Sequence, residues 1–173
     1  YIGASTLLSM TQGLGMNLIA TNIPQIQGYL GATNTETTWL VAAYMAPNVS
    51  LSIALIKMRN QYGLRNFAQL GLAIFVLVSL LHLVVTDLHS ALIIRFVSGI
   101  AAAPLSSLAF LYALEAFPPA RKMTIAICIV LTNISLASPL ARLLSPTLLD
   151  IGQWSGLYTF EISLALIAFG VIY

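Results

Sequence analysis

Charge is what this chain has least of. Seven Lys or Arg and five Asp or Glu are spread over 173 residues, 7% of the total, where a soluble domain carries about a quarter. So few ionised groups cannot solvate a globular surface, and a water-soluble fold is excluded. With 59% hydrophobic residues and a mean hydropathy of +0.94, the chain reads as an all-α, polytopic membrane protein. A single cysteine, Cys128, excludes an internal disulfide framework and a cysteine metal cluster, and His82 and His89 stand at no metal-ligand spacing from it. Neither a metal nor a cofactor is implied. Nucleic acid is not an expected partner, because the basic residues form no run or patch. Also missing are a Gly-rich phosphate loop with Lys-Ser/Thr, a GxSxG elbow and any pair of carboxylates placed for acid–base work, so the chain does not read as an enzyme. It opens on Tyr1 with no basic n-region before the first apolar run. That run therefore reads as a span rather than a signal peptide, and the chain as a fragment cut at both ends.

What is present is six apolar runs, at about 2–22, 39–56, 67–86, 90–114, 123–149 and 154–173, each long enough to cross a bilayer at ~1.5 Å per residue. The fourth organises the others. Its only interior charge is Arg95, and a guanidinium is costly to hold in hydrocarbon, so Arg95 is expected to face protein or a water-filled cavity. Arg95, Gly99, Ala102, Ser106, Ala109 and Ala113 recur at three or four residues, a small and polar stripe expected opposite Ile94, Leu105 and Leu108. The first span is interrupted by Ser5, Ser9, Gln12, Gly13, Gly15 and Asn17. In the second, Tyr44, Asn48 and Ser52 share a line, with Pro47 as a kink. The third is the most uniformly apolar and reads as peripheral. In the fifth, Cys128, Thr132, Ser135, Ser138 and Arg142 form what reads as a second interior stripe.

The loops orient the chain. Those after the second and fourth spans hold Lys57, Arg59, Arg65, Arg121 and Lys122, whereas those after the first, third and fifth hold Glu36, Asp87 and Asp150 and no cation. The positive-inside rule puts both basic loops, and hence the N-terminus, in the cytoplasm. Trp39 and Trp154 each open a span, as interfacial indoles do.

Several polar residues read in two ways. Gln12, Asn17, Asn48 and Asn133 suit either a substrate cavity or bonds between helices, and Tyr44, Ser106, Ser135 and Arg142 extend the cavity reading. Gly99 with Ala103 is a small-xxx-small pair that lets two helices approach. Met10, Met16 and Met45 suit varied apolar ligands or ordinary packing. His82, near the outer end of the most apolar span, reads as a bystander rather than a proton relay. Glu161 is the one carboxylate well inside a span. Counted from the outer loops, Arg95, Arg142 and Glu161 sit at one depth, so an ion pair is expected, with Arg142 the first partner and Arg95 the second. Glu161 is either a proton carrier or a static clamp between helices.

Five stretches carry a resemblance: Asn22-Ile23-Pro24-Gln25-Ile26, Thr38-Trp39-Leu40-Val41, Leu92-Ile93-Ile94-Arg95-Phe96-Val97-Ser98-Gly99, Phe117-Pro118-Pro119-Ala120-Arg121, and Trp154 four residues past Asp150. Together they resemble the N-terminal half of a major facilitator superfamily transporter, most like the fourteen-span drug/proton antiporter branch. The resemblance implies two inverted three-helix repeats and a cavity on spans one, two, four and five. It also implies alternating access against a C-terminal half, with a small-molecule substrate, protons and the lipid bilayer as partners in a cell membrane. Proton-coupled uptake of a polar metabolite, or a non-transporting protein that kept the fold, are the alternatives to export. Gly63 and Arg65 match the gating loop of the family, while Ile56 and Asn60-Gln61 replace its first glycine and its acid–base pair. Gly15 stands where the antiporters carry an aspartate. No glycine occurs between Ile125 and Ile151, where the family has a glycine-rich motif; its counterpart is Ala137-Ser138-Pro139-Leu140-Ala141-Arg142, with Pro139 a helix-packing position.

Overall fold

A computed structural model describes residues 1–85, 87–118 and 122–172, with backbone alone at 53, 54, 56–60, 62, 64, 65, 153 and 154. In chain order the helices are α1 (Ile2–Thr21), α2 (Ile23–Leu30), α3 (Asn34–Tyr62), α4 (Leu64–Leu81), a 3₁₀ turn (His82–Val84), α5 (Leu88–Glu115) and α6 (Lys122–Ile172). Four stretches of the described residues are long and apolar enough to cross a membrane: Asn66–Val84, Leu88–Glu115, Lys122–Gly152 and Ser155–Ile172. At 20 and 29 residues, α1 and α3 are about 30 and 43 Å long, but polar side chains dilute them.

Those polar groups face inward, which is why α1 sits in the middle of the bundle. Ser5, Ser9 and Thr11 are fully buried. The Ser5 hydroxyl donates to the Ala109 carbonyl of α5 at 2.6 Å, the Asn133 amide of α6 donates to Ser9 Oγ at 3.1 Å, and the Asn22 amide donates to Ser145 Oγ at 2.7 Å. Bonds of this kind tie helices together where lipid tails offer no hydrophobic gain on association. The apolar core falls into two clusters. One gathers Leu8, Phe75, Leu105, Leu108 and Ala168, and the other Leu14, Leu18, Leu40, Leu157 and Tyr158.

The loop expected over Pro24–Thr38 is mostly helix. Pro24 in the first turn of α2 and Gly31, left-handed at φ 61°, open and close a short helix, and α3 starts at Asn34 rather than near Trp39. A capping box starts α3: the backbone N–H and hydroxyl of Thr33 both donate to Glu36 Oε2, at 2.8 and 2.7 Å, and the Glu36 N–H returns a bond to Thr33 Oγ at 3.3 Å. The Thr33 N–H, foremost, holds the Glu36 carboxyl below its ordinary range. Its contribution is therefore present at neutral pH and is lost as pH falls through the lowered value.

The basic loop after α3 shrinks to one residue, Gly63, whose φ of 79° suits glycine. Spans five and six form one helical run of 51 residues that nevertheless turns back on itself. A Cβ at Gly156 would fall on the Leu148 carbonyl, although residues eight apart in a straight helix are about 12 Å apart. The first limb runs parallel to α1 (Asn133 at Ser9, Ala137 at Gly13, Ser145 at Asn22) and the second antiparallel to it (Tyr158 in one core cluster with Leu18, Ala165 in the other with Leu8).

Two facial expectations need correction. Leu105 and Leu108 are as buried as the stripe they were set against, because α5 is covered by α1, α3, α4 and α6; its exposed face is Ile93, Phe96, Val97 and Ile100. On the first limb of α6 the packed face is Ala137, Ala141 and Ser145, while Cys128, Thr132, Ser135 and Arg142 are exposed.

Candidate functional site

Three helices frame a cleft of about 360 Å³. Helical spacing brings Tyr44, Asn48 and Ser52 of α3 onto one line, with Met45 and Val49 beside it; α1 contributes Gln12 and Met16, and α5 contributes Ser106. Asn48 is the hub. Its Oδ1 accepts from Gln12 Nε2 at 3.5 Å and from Ser106 Oγ at 3.3 Å, and its main-chain carbonyl accepts from Ser52 Oγ at 2.6 Å.

Tyr44 separates this cleft from a buried polar cluster. The Arg95 guanidinium carbon lies 4.5 Å from the Tyr44 ring centroid, a cation–π contact worth up to about 2 kcal/mol when desolvated. Arg95 is 1% exposed and donates from one terminal nitrogen to the Gly15 carbonyl at 3.3 Å, while its Nε and other terminal nitrogen find no hydrogen-bond partner among the described residues. Glu161, 3% exposed, reaches Gly15 from another side: a Cβ there would lie 2.5 Å from Glu161 Oε1. Arg95 and Glu161 thus feel each other's charge across Gly15, not through a hydrogen bond. One turn from Glu161, Tyr158 stacks on His82 with ring centroids 4.2 Å apart, and His82 Nε2 lies 3.5 Å from Ser98 Oγ, one turn from Arg95.

The close approach of α3 to α5 depends on a missing side chain. A Cβ on Gly99 would fall on the Tyr44 carbonyl and 2.7 Å from Pro47 Cγ, so the bare backbone of Gly99 positions Tyr44 over Arg95. Ala103, one turn on, is fully buried.

Gln12, Tyr44, Asn48 and Ser106 therefore meet in one cleft, with Arg95 directly behind it. Asn17 does not join them; its amide donates to the Gly13 carbonyl of its own helix at 2.8 Å. Ser135, Arg142 and Pro139 are exposed on the first limb of α6. Arg142 is thus turned away from Glu161, and the buried cation near that carboxylate is Arg95. The tight contact of that limb is made by Ala137, two residues before Pro139; the Ala137 Cβ lies 2.7 Å from the position of a Gly13 Cβ. Gly63 lies at the α3–α4 joint, and the Arg65 side chain lies outside the described residues. His82 is 1% exposed and stacks on Tyr158 beside the charged cluster. Tyr158, absent from the sequence reading, joins it there.

Residues 6–173 match the family described as the Major Facilitator Superfamily. The chain is 25% identical over 164 residues to a probable multidrug resistance protein, EmrY, of Escherichia coli (strain K12), covering 95% of this chain and 32% of that protein. It is 27% identical over 149 residues to the fatty acid resistance protein FarB of Neisseria gonorrhoeae, covering 84% of this chain and 29% of that protein. The chain spans about a third of the length of these relatives.

Proposed function

Because the chain belongs to the Major Facilitator Superfamily, and so to a class of multi-pass membrane transporters, we propose that it is the N-terminal six-span half of a proton-coupled exporter of small organic molecules. In this reading α1 and α3 complete the set of spans begun by the four apolar ones, and spans one to three and four to six are inverted repeats around a site near the midplane. The observation that carries the proposal is the cleft between α1, α3 and α5. Amide and hydroxyl groups of Gln12, Asn48 and Ser106 line one side, and Met16, Met45 and Val49 supply an adaptable apolar surface. The names of the two relatives, one for multidrug and one for fatty acid resistance, support export over uptake. The exposed polar stripe through Thr132, Ser135 and Arg142 is the face we assign to the C-terminal half. The absence of an acid at position 15 favours a second reading, a protein that kept the fold without transport.

Whole-cell accumulation of several dyes, with and without a protonophore, separates these readings; no protonophore-sensitive difference for any dye would leave only the second. Within the cleft, Ser106→Leu is expected to lower export by roughly tenfold or more, equivalent to at least ~1.4 kcal/mol of binding, with protein level unchanged. Leu108→Ile, a volume-conserving change in the core, is expected to leave export within about twofold. Equal losses from both would mean that the cleft is not where substrate sits.

Orientation is tested by labelling in a Cys128→Ser background. Cysteines at Gln61 and Lys122 are expected to resist a membrane-impermeant thiol reagent in intact cells, whereas cysteines at Asn34 and Asp150 react, since only the first pair flanks the basic segments. The opposite pattern would invert the topology.

A further inference from the structure

Resting on the reading of the α1–α3–α5 cleft as the substrate site, we propose that this wall selects an uncharged ligand. The ligand would carry an apolar body and a hydroxyl or amide N–H that docks on Asn48 Oδ1. Asn48 is 6% exposed, and among the described residues its Oδ1 is served by donors at 3.3 and 3.5 Å, beyond the usual 2.7–3.2 Å for N–H and about 2.5–3.0 Å for O–H donors. An acceptor held by two stretched bonds gives them up for a ligand donor at ordinary distance at little cost. Of the other hydroxyls on the lining, that of Ser52 is already engaged at 2.6 Å with the Asn48 main chain, and that of Tyr44 makes no hydrogen bond to Asn48 Oδ1. Beside Asn48 on α3 lie Met45 and Val49, and Met16 joins them from α1; these take the apolar body of the ligand.

The charges of the molecule are kept out of this cleft. Among the described residues its lining includes no Asp, Glu, Lys, Arg or His. Arg95 stands behind the Tyr44 ring, and Glu161 reaches the bundle interior at Gly15. An ion entering the cleft would shed hydration with no opposite charge among the described lining residues to replace it, whereas a neutral hydroxyl exchanges one hydrogen bond for another at little net cost.

The test is equilibrium binding to the full-length transporter in detergent, with three labelled probes: chloramphenicol, which is neutral and bears hydroxyls and an amide; tetraphenylphosphonium, a cation; and decanoate, an anion. Chloramphenicol is expected to bind at least tenfold more tightly than either ion. Asn48→Leu is expected to abolish that preference, and Asn48→Asp to reverse it in favour of tetraphenylphosphonium, with thermal unfolding of each variant reporting whether it is folded. Either ion binding the parent protein as tightly as chloramphenicol, or none of the three binding, overturns the proposal whether or not the variants fold. An unchanged order in a folded Asn48→Asp protein overturns it too. If chloramphenicol binds in the stated pattern but is not exported, the transport reading fails while the ligand class stands.

Discussion

Glu161→Gln is expected to leave a folded transporter whose rate no longer depends on pH, measured in proteoliposomes across the neutral range. Glu161 is the buried carboxylate among the described residues, and the groups facing it are Arg95 from α5, Tyr44 from α3, Tyr158 from its own helix and the Gly15 backbone of α1, with His82 stacked on Tyr158. A guanidinium does not deprotonate and a phenol titrates near 10, which leaves the carboxylate and the imidazole as the groups able to carry the proton. His82 is the remaining alternative, and His82→Gln serves as the control. Magnitude separates a proton carrier from a clamp. Removing one member of a directly bonded buried ion pair costs about 3–5 kcal/mol. Arg95 and Glu161 are not bonded to each other, and Arg95 keeps the Tyr44 ring and the Gly15 carbonyl, so a much smaller loss is expected. A fall in stability on the full scale, with pH dependence intact, would make Glu161 a clamp. A reciprocal exchange sharpens the test. Gly15→Asp alone is expected to be poorly tolerated, because its side chain would enter the volume of the Glu161 carboxyl. Gly15→Asp with Glu161→Ala puts a carboxylate back into that volume and is expected to restore pH dependence.

The largest effect on folding is expected at Gly99. A side chain there meets the Tyr44 carbonyl, part of a helix backbone, and the Pro47 ring, neither of which can rotate away. Gly99→Ala forces α3 and α5 apart and is expected to cost about 1–3 kcal/mol, as overpacking does; Gly99→Leu is expected to leave almost no folded protein. Gly170→Ala is the control: the site is helical with nothing within 4 Å of the added Cβ, so a gain of up to ~1 kcal/mol is expected. Thermal unfolding of the purified variants measures all three, and a Gly99→Ala protein as stable as its parent would show that the helices do not meet as closely as described.

Much of this was readable from the chain, and the failures have physical causes. The fourth span was placed at 90–114 against an observed Leu88–Glu115, because its ends are marked by Asp87 and by Phe117-Pro118-Pro119. Pro24 and Gly31 are the start and stop signals of α2, but the polar composition of the stretch between Pro24 and Thr38 hides them and reads as a loop. The turn between the limbs of α6 looked like an ordinary loop at Asp150–Gly152, since nothing in composition says whether a bend keeps its helical hydrogen bonds. Depth was legible and azimuth was not. Counting residues put Arg95, Arg142 and Glu161 at one level, but which of two cations turns inward depends on neighbours, and Ala137, Ala141 and Ser145 took the packed face of the helix that carries Arg142. The same count extended to His82 and Tyr158 would have found the rest of the cluster.

The helical bend in α6 has a mechanical consequence. A hairpin joined by a slack loop lets one leg shift before the other responds, so a displacement of an ångström can dissipate at the join. Here the reversal takes only a few residues, with Gly156 seated on the Leu148 carbonyl. The two legs are thus pinned to each other at the turn, and a displacement of the leg that carries Glu161 at that end has to carry the leg of Arg142 with it.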